Sequence, residues 1–302
     1  MSVQVRPNEP RHLDPLVVDR IHSMELRART VVEGFFTGLH RSPYQGFSVE
    51  FSEYREYVPG DELSAVDWKL FGRSDRFYVK KFEADTNLDC HILLDVSLSM
   101  SFASGSLSKQ DYSASLAASL AYLMHRQRDA VGLVTFSDDI IERLPASARP
   151  GHLQRLLAVL DQLKAGHLSD VGKSLKRLGE MLKRRGMVVV ISDLLDDVES
   201  VIKGLRLLRC QGSEIIVFHI LDPAELRFPF EHATRFVDLE TGNEIKAVGA
   251  EVRSRYLEQV QGLISDYSKR LRADGIDYCL VDTSIPYDVS LRAYLANRSK
   301  IH

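Results

Sequence analysis

The segment Cys90-His91-Ile92-Leu93-Leu94-Asp95-Val96-Ser97-Leu98-Ser99 is an apolar run that ends in Asp-x-Ser-x-Ser at the point where a buried strand would stop. A short continuous apolar run of this kind reads as a buried strand. One carboxylate and two hydroxyls then converge on a tight turn. Hard oxygen ligands of this kind suit a small divalent cation such as Mg²⁺, which keeps several waters and shares its remaining positions with the oxygens of a partner. Asp and Ser are also preferred N-caps and turn residues, so the same pattern could serve only to cap the following helix. The motif is short enough to recur by chance, and its context decides its weight.

Two later stretches point to the same edge. Ser169-Asp170 opens a helical segment after a loop, and Met187-Val188-Val189-Val190-Ile191 is a second buried run, closed by Ser192-Asp193. In an open parallel sheet, ligands bind beyond the carboxyl ends of the strands. Asp95, Ser97, Ser99, Ser169 and Asp193 are therefore expected to meet there as a metal site, with Mg²⁺ the first candidate and Mn²⁺ or Ca²⁺ as alternatives.

From about Asp89 onward, apolar runs alternate with helical patterns, which predicts α/β architecture with parallel strands and crossover helices. The expected strands are Cys90–Leu94, Val131–Phe136, Ile140–Arg143, Met187–Ile191, Glu214–Phe218 and Asp277–Val281. Between them Tyr112, Leu116, Leu120, Leu123 and Met124 recur at helical spacing, as do Val252, Tyr256, Val260, Leu263, Tyr267 and Leu271. Lys183-Arg184-Arg185 before Gly186 reads as the cationic last turn of a helix rather than as a basic patch. Residues 1–86 break the alternation and are expected to form a smaller α+β unit beside an 87–302 α/β domain. In that unit Leu13–Arg29 is helical in pattern, Phe47–Phe51 and Arg76–Lys80 read as strands, and Pro59-Gly60-Asp61 marks a turn between them.

The 302 residues suffice for a full core. Apolar and charged fractions of 44% and 27%, with a formal net charge of −3, are those of an ordinary soluble protein and give no general attraction to nucleic acid or anionic membrane. No stretch approaches the length of a membrane span and the N-terminus lacks the apolar centre of a signal peptide, so a cytoplasmic protein is expected. Three widely spaced cysteines, without Cys-x-x-Cys, read as reduced and structural.

The run Tyr57-x-x-Gly60-Asp61-Glu62, followed by Val66-Asp67-Trp68-Lys69, Arg73, Arg76, Tyr78-Val79 and Phe82-Glu83, resembles the signature of the family known as domain of unknown function 58. The Asp-x-Ser-x-Ser strand follows at the short distance that family shows, and Ser192-Asp193 comes later. The resemblance spans roughly residues 20 to 285. It implies a Rossmann-like domain of the von Willebrand factor A type carrying a metal-ion-dependent adhesion site, working beside a MoxR-type AAA+ ATPase in the assembly or maturation of other proteins. Carried onto this chain, Ser97 and Ser99 would give hydroxyl ligands, Asp95 would act directly or through water, and Asp193 would hold a coordinated water. Ser169 stands where the family's third loop usually has Thr, with Asp170 and Ser174 as alternatives.

Such a site binds by leaving a metal position open for an Asp or Glu of the ATPase or of its client. Catalysis has less in its favour, since there is no Gly-x-Ser-x-Gly, His-Glu-x-x-His or phosphate loop. The nearest enzymatic reading, phosphotransfer from an Asp after a strand, would want a second carboxylate at position 97, where a serine stands. His91 shares a strand face with Asp95 by period two and is read as a core histidine rather than a base. Trp68 could anchor a partner, but reads first as core. The basic residues Lys69, Arg73, Arg76, Lys80 and Lys81 are diluted by Asp67, Asp75, Glu83 and Asp85. The order of expectations is a metal-dependent interaction module, then a scaffold with a vestigial metal site, then a metal-assisted phosphotransfer enzyme.

Overall fold

The computed structural model describes residues 14–40, 54–56, 78–80, 89–163, 170–182 and 185–298. The strand expected over Phe47–Phe51, Trp68 with its basic neighbours Lys69, Arg73, Arg76 and Lys81, and the third-loop candidate Ser169 lie outside them. Contacts divide the chain into two units. One joins Met1–Phe36 to Leu88–His302, and the other is Thr37–Asn87. Helices α1 (Pro15–Asp19) and the greater part of α2 (Met24–His40) thus belong with the α/β unit. Asp14 caps the first of them by accepting from the Leu16 amide at 2.9 Å. The small unit contains an antiparallel pair, β1 (Tyr54–Glu56) and β2 (Tyr78–Lys80), with Arg55 opposite Val79.

The α/β unit is built on a six-stranded sheet. Its strands are β3 (Asp89–Asp95), β4 (Ala130–Phe136), β5 (Ile140–Ser147), β6 (Met187–Ser192), β7 (Glu214–Leu221) and β10 (Asp277–Asp282), in the spatial order β10-β7-β6-β3-β4-β5. Five strands run parallel and β5 returns antiparallel to β4. This Rossmann-like architecture is the one expected from the alternation of runs, and all six expected strands are present. The difference lies at β5, which follows β4 after three residues and can only pair as a hairpin, because a parallel return needs a long crossover. As an edge strand it carries Glu142, Arg143 and Pro145, residues that protect an open edge from pairing.

Alternation along β3 sends Leu93 to one face and Ile92 and Leu94 to the other. On the first face Leu93, Val134, Val188, Val190, Ile215 and Val217 are buried. They lie beneath Leu175 and Leu178 of α5 (Val171–Met181), Ile202 and Leu205 of α6 (Val198–Cys210), and Tyr267 and Leu271 of α8 (Gly249–Ala273). Helix α3 (Lys109–Arg126) contacts β3, β4, β6, β7 and the next helix, α4 (His152–Asp161), and 13 of its 18 residues are buried, Ser113, Ser115 and Ser119 among them. Helices α5 and α6 approach closely at glycines: a methyl group at Gly172 would lie 2.6 Å from Ser200 Cβ, and one at Gly204 would lie 2.7 Å from Leu175 Cβ.

One feature outside the expected pattern is a hairpin of β8 (Ala233–Val237) and β9 (Glu244–Val248), which follows the short helix α7 (Pro223–Arg227). An aromatic cluster of Phe228, Phe230, Phe236 and Tyr256 anchors it. Its strands are short and mostly exposed, so the sequence offers no apolar run to mark them. Among the described residues, no helix is long and apolar enough to cross a membrane.

Candidate functional site

The chain leaves β3 for its neighbour β4 on one side, and later enters β6 on the other side of β3. That reversal makes the gap beyond the ends of β3 and β6 a topological switch point, where a crevice opens in sheets of this class. The register pairs Leu94 with Ile191, so Asp95 and Ser192 leave the sheet side by side.

Asp95 is fully buried. One of its oxygens accepts from the Ser97 amide at 2.9 Å and the other from the Ser192 hydroxyl at 2.6 Å. Among the described residues, no Lys or Arg forms an ion pair with it. Burial, reinforced by the neighbouring charge of Asp193 and only partly relieved by the bonds from Ser192 and Ser97, pushes its carboxyl up to about 7. The turn that follows is the 3₁₀ segment Leu98–Ser101, with Ser97 at its N-cap position. The Ser97 side chain does not cap that segment. Its hydroxyl lies 3.0 Å from that of Ser99. The helix-capping alternative for Ser97 thus fails, and the two hydroxyls are left beside the buried carboxylate.

Asp193 arrives as expected at the end of β6, but with a partner that sequence reading missed. Lys109 Nζ donates to Asp193 Oδ2 at 2.7 Å and to Glu225 Oε1 at 2.7 Å, and the Lys109 side chain is completely buried. Burial by itself would lower the ammonium, but the two carboxylates more than offset it and leave Lys109 above its ordinary value. Burial raises Glu225, against the pull of Lys109. The other oxygen of Glu225 closes a capping box on α7 by accepting from the Asp222 amide at 2.8 Å, and Asp222 caps the helix through the Ala224 amide at 2.7 Å. Nothing local announces this triad, because its members are 84 and 116 residues apart.

The backbone just beyond Asp193 is unusual. Leu194 is buried with φ 51°, a left-handed conformation that a Leu adopts only when its surroundings impose it. Its N–H donates to Ser192 Oγ at 3.0 Å, and its carbonyl accepts from the Tyr267 hydroxyl at 3.1 Å. Ser192, read from sequence only as a strand end, is therefore the hinge-pin of the site, bonded to Asp95 and to the loop carrying Asp193. His219, opposite Ser192 on β7, is buried and lowered to about 4 by desolvation, against the opposing influence of Asp193.

The third-loop alternatives each have another partner. Asp170 caps α5 by accepting from the Lys173 amide at 2.8 Å, and the Ser174 hydroxyl donates to the Ser137 carbonyl at 3.0 Å. His91 lies at the far end of β3, about 13 Å from Asp95 at the usual rise along a strand, so it is no base for this site.

A divalent ion can be tested against these donors. Asp95 is a buried carboxylate lacking a counter-cation among the described residues, flanked by two hydroxyls, and this hard oxygen set fits Mg²⁺. Asp193 already holds an ammonium. No group of three or more carboxylate, imidazole or thiol side chains able to hold a metal forms among the described residues. Any ion here would have to rely on hydroxyls, water and an incoming oxygen.

Fold and site together define an α/β protein with buried oxygen donors gathered beyond the strand ends at the switch point of its sheet. The chain belongs to the family described as protein of unknown function DUF58, which matches residues 53–262. It is 24% identical over 291 residues to uncharacterized proteins of Mycobacterium bovis and Mycobacterium tuberculosis, covering 95% of this chain and 91% of each of those proteins. Among solved structures it is similar to the conserved hypothetical protein BatB from Bacteroides thetaiotaomicron, with TM-score 0.48, 17% identity and coverage of 70% of this chain and 98% of that one. It is similar also to the pilus adhesin SpaC from Lactobacillus rhamnosus GG, with TM-score 0.46, 11% identity and coverage of 70% and 29%.

Proposed function

We propose that the α/β unit is a metal-dependent protein-interaction module of the von Willebrand factor A type, in which Asp95, Ser97 and Ser99, with Ser169 and Asp193, hold Mg²⁺. The observation that carries this reading is Asp95: a fully buried carboxylate without a counter-cation among the described residues, set beside a hydroxyl pair at the switch point of the sheet. An uncompensated buried charge is costly; below the raised pKa of Asp95 a proton relieves it, and above that value a bound cation does so. A divalent ion bound there supplies an electrophilic position for a carboxylate from a partner. The chain's own contribution is to orient the hydroxyls through the Leu98–Ser101 turn, to fix Asp95 through Ser97 and Ser192, and to keep water from the carboxylate by burial. In keeping with the family resemblance, the partner is a MoxR-type AAA+ ATPase or a client protein delivered by one, presenting an Asp or Glu, and the protein acts in the cytoplasm.

A second reading has one observation in its favour. Lys109 neutralises Asp193 from within, as a scaffold whose metal site is vestigial would do. Thermal unfolding separates the two. A ligand that binds only the folded chain raises its melting temperature, so millimolar Mg²⁺ or Mn²⁺ should raise that of the parent, EDTA should reverse the rise, and Asp95→Ala should abolish it. Equal responses from parent and variant would favour the scaffold. Capture of the cognate ATPase or its client with Mg²⁺ and with EDTA then tests the partner.

A further inference from the structure

We infer that the open edge of β10, together with the groove between β10 and α8, takes an extended peptide segment of a partner protein, with apolar side chains toward one end and carboxylates toward the other. The surface is separate from the candidate metal site, and its use requires no ion. Among the described residues β10 is the outermost strand on its side of the sheet, paired only with β7. Just beyond it the Thr283 amide donates to the Leu221 carbonyl at 3.1 Å. Successive residues of a strand direct their backbone groups to opposite sides, so Cys279 and Val281 turn theirs toward β7, and Tyr278 and Leu280 turn theirs outward. The opposite edge, β5, carries Glu142, Arg143 and Pro145, whereas the interior of β10 reads Tyr278-Cys279-Leu280-Val281, with neither charge nor proline. An edge without those devices is a template for one more strand.

A groove of about 590 Å³ lies beside this edge. Leu226 of α7, Val260 and Ile264 of α8 and Leu280 of β10 give it apolar walls, and Leu280 is 37% exposed. Lys269 and Arg272 also line it, and no carboxylate does. Only residues 274–276 join α8 to β10, so the helix runs back along the strand. Arg272 therefore stands beside the first residues of β10, and Val260 and Ile264 beside the later ones, which makes the groove cationic at one end and apolar at the other. Neighbouring cations are already engaged: Arg270 pairs with Glu199 at 2.6 Å, and Arg227 with Asp282 at 2.7 Å. Lys269 and Arg272 form no ion pair among the described residues. Of the carboxylates at the cationic end, Asp274 is held by Arg206 at 2.7 Å, and Asp277 is half-buried outside the lining. Helical rise separates Ile264 from Arg272 by about 12 Å, the span of about four residues of extended chain. A segment that adds to β10 thus presents both its apolar side chains and its Asp or Glu to the groove on one face, while its backbone bonds to Tyr278 and Leu280.

Two fluorescein-labelled peptides serve as probes. Thr-Glu-Thr-Asp-Thr-Ile-Thr-Ile-Thr matches the groove in parallel addition, and Thr-Ile-Thr-Ile-Thr-Asp-Thr-Glu-Thr matches it in antiparallel addition. Fluorescence anisotropy with the full chain in EDTA should show saturable binding of one of them. Reversing both cations, Lys269→Glu with Arg272→Glu, should weaken that binding about tenfold. The same double variant should prefer the peptide whose two acids are replaced by lysine, a swap that mere loss of structure would not produce. Leu280→Pro removes an outward N–H and no ladder bond to β7, and should weaken binding several-fold. Should that variant fail to fold, slowed hydrogen exchange of the Tyr278 and Leu280 amides on peptide binding decides in its place. Binding of neither peptide by the parent overturns the inference, as does equal binding by the parent and the double variant. Binding that depends on the cations but leaves the β10 edge unaffected overturns strand addition. Dimerisation of the parent that Leu280→Pro abolishes, with no peptide bound, gives the edge to a second copy and likewise overturns it.

Discussion

Replacing Asp95 by Asn should stabilise the ion-free protein at alkaline pH and do nothing for it in mild acid. The carboxyl ionises at about 7 in the folded chain against an ordinary value of 3.8, chiefly because burial disfavours its charge. Between those two values the folded chain keeps a proton that the unfolded chain has lost. Its contribution to stability is therefore fully present below the unfolded value and is lost as pH rises through the folded one. At pH 8 the buried carboxylate costs on the order of 4 kcal/mol relative to its protonated form. Asn keeps the shape and the acceptor for the Ser97 amide, and never ionises. Its amide N–H₂ faces the Ser192 hydroxyl, which must turn from donor to acceptor while already accepting from Leu194, and that rearrangement costs about 2 kcal/mol. The net expectation is a variant about 2 kcal/mol more stable than the parent at pH 8, with the advantage gone by about pH 5. Urea unfolding in EDTA across this range, followed by far-ultraviolet circular dichroism, measures the difference. Tryptophan fluorescence would not serve, because the single tryptophan, Trp68, belongs to the smaller unit. His219 acts oppositely: its imidazole is lowered to about 4 by burial, so its contribution fades as pH falls, but it is common to both chains and cancels. A stability difference between parent and variant that stays constant from pH 5 to pH 8 would refute the claim that Asp95 is a buried acid with no counter-charge.

Ser192→Ala deletes the hydroxyl that joins Asp95 to the Leu194 amide, so ion-free stability should fall by about 1–3 kcal/mol at pH 8 and by less at pH 5, where Asp95 is protonated; urea titration at the two pH values checks the inequality. Gly172→Ala would drive a methyl group to 2.0 Å from Ser200 Oγ and 2.6 Å from its Cβ, and separating α5 from α6 should cost about 1–3 kcal/mol. Ser200→Gly in the same chain should recover only part of that loss in thermal unfolding, because it removes the Oγ and Cβ contacts and leaves the Ser200 backbone carbon 2.9 Å from the methyl group. Ser169→Thr should keep Mg²⁺ affinity because it keeps the hydroxyl, whereas Ser169→Ala should weaken it, and equal affinities by calorimetry would remove residue 169 from the proposed ligand set.

The sequence by itself determined the sheet. Buried parallel strands need continuous apolar runs, and those runs, from Cys90–Leu94 to Asp277–Val281, are local properties of the chain that no distant contact can counterfeit. The same locality placed Asp95 at the end of β3, Ser97 and Ser99 on the turn that follows and Asp193 after β6, and the rule that ligands gather at strand ends was enough to bring them to one edge. The antiparallel return of β5 was within reach, since only three residues separate it from β4. The exposed hairpin of β8 and β9 was not, because short two-sided strands lack an apolar pattern. What only the tertiary structure decided is the electrostatic state of the site. Whether Asp95 has a cation beside it, whether Asp193 is already neutralised, and which carboxylate holds Lys109 are facts about groups 84 to 116 residues apart in the chain. Lys109 in sequence is one lysine after a helix cap, indistinguishable from a solvated one. Burial at the crossing of α3, β6 and α7 makes it the counter-charge of the crevice, since desolvation and Coulomb attraction both depend on distances that the order of residues does not contain.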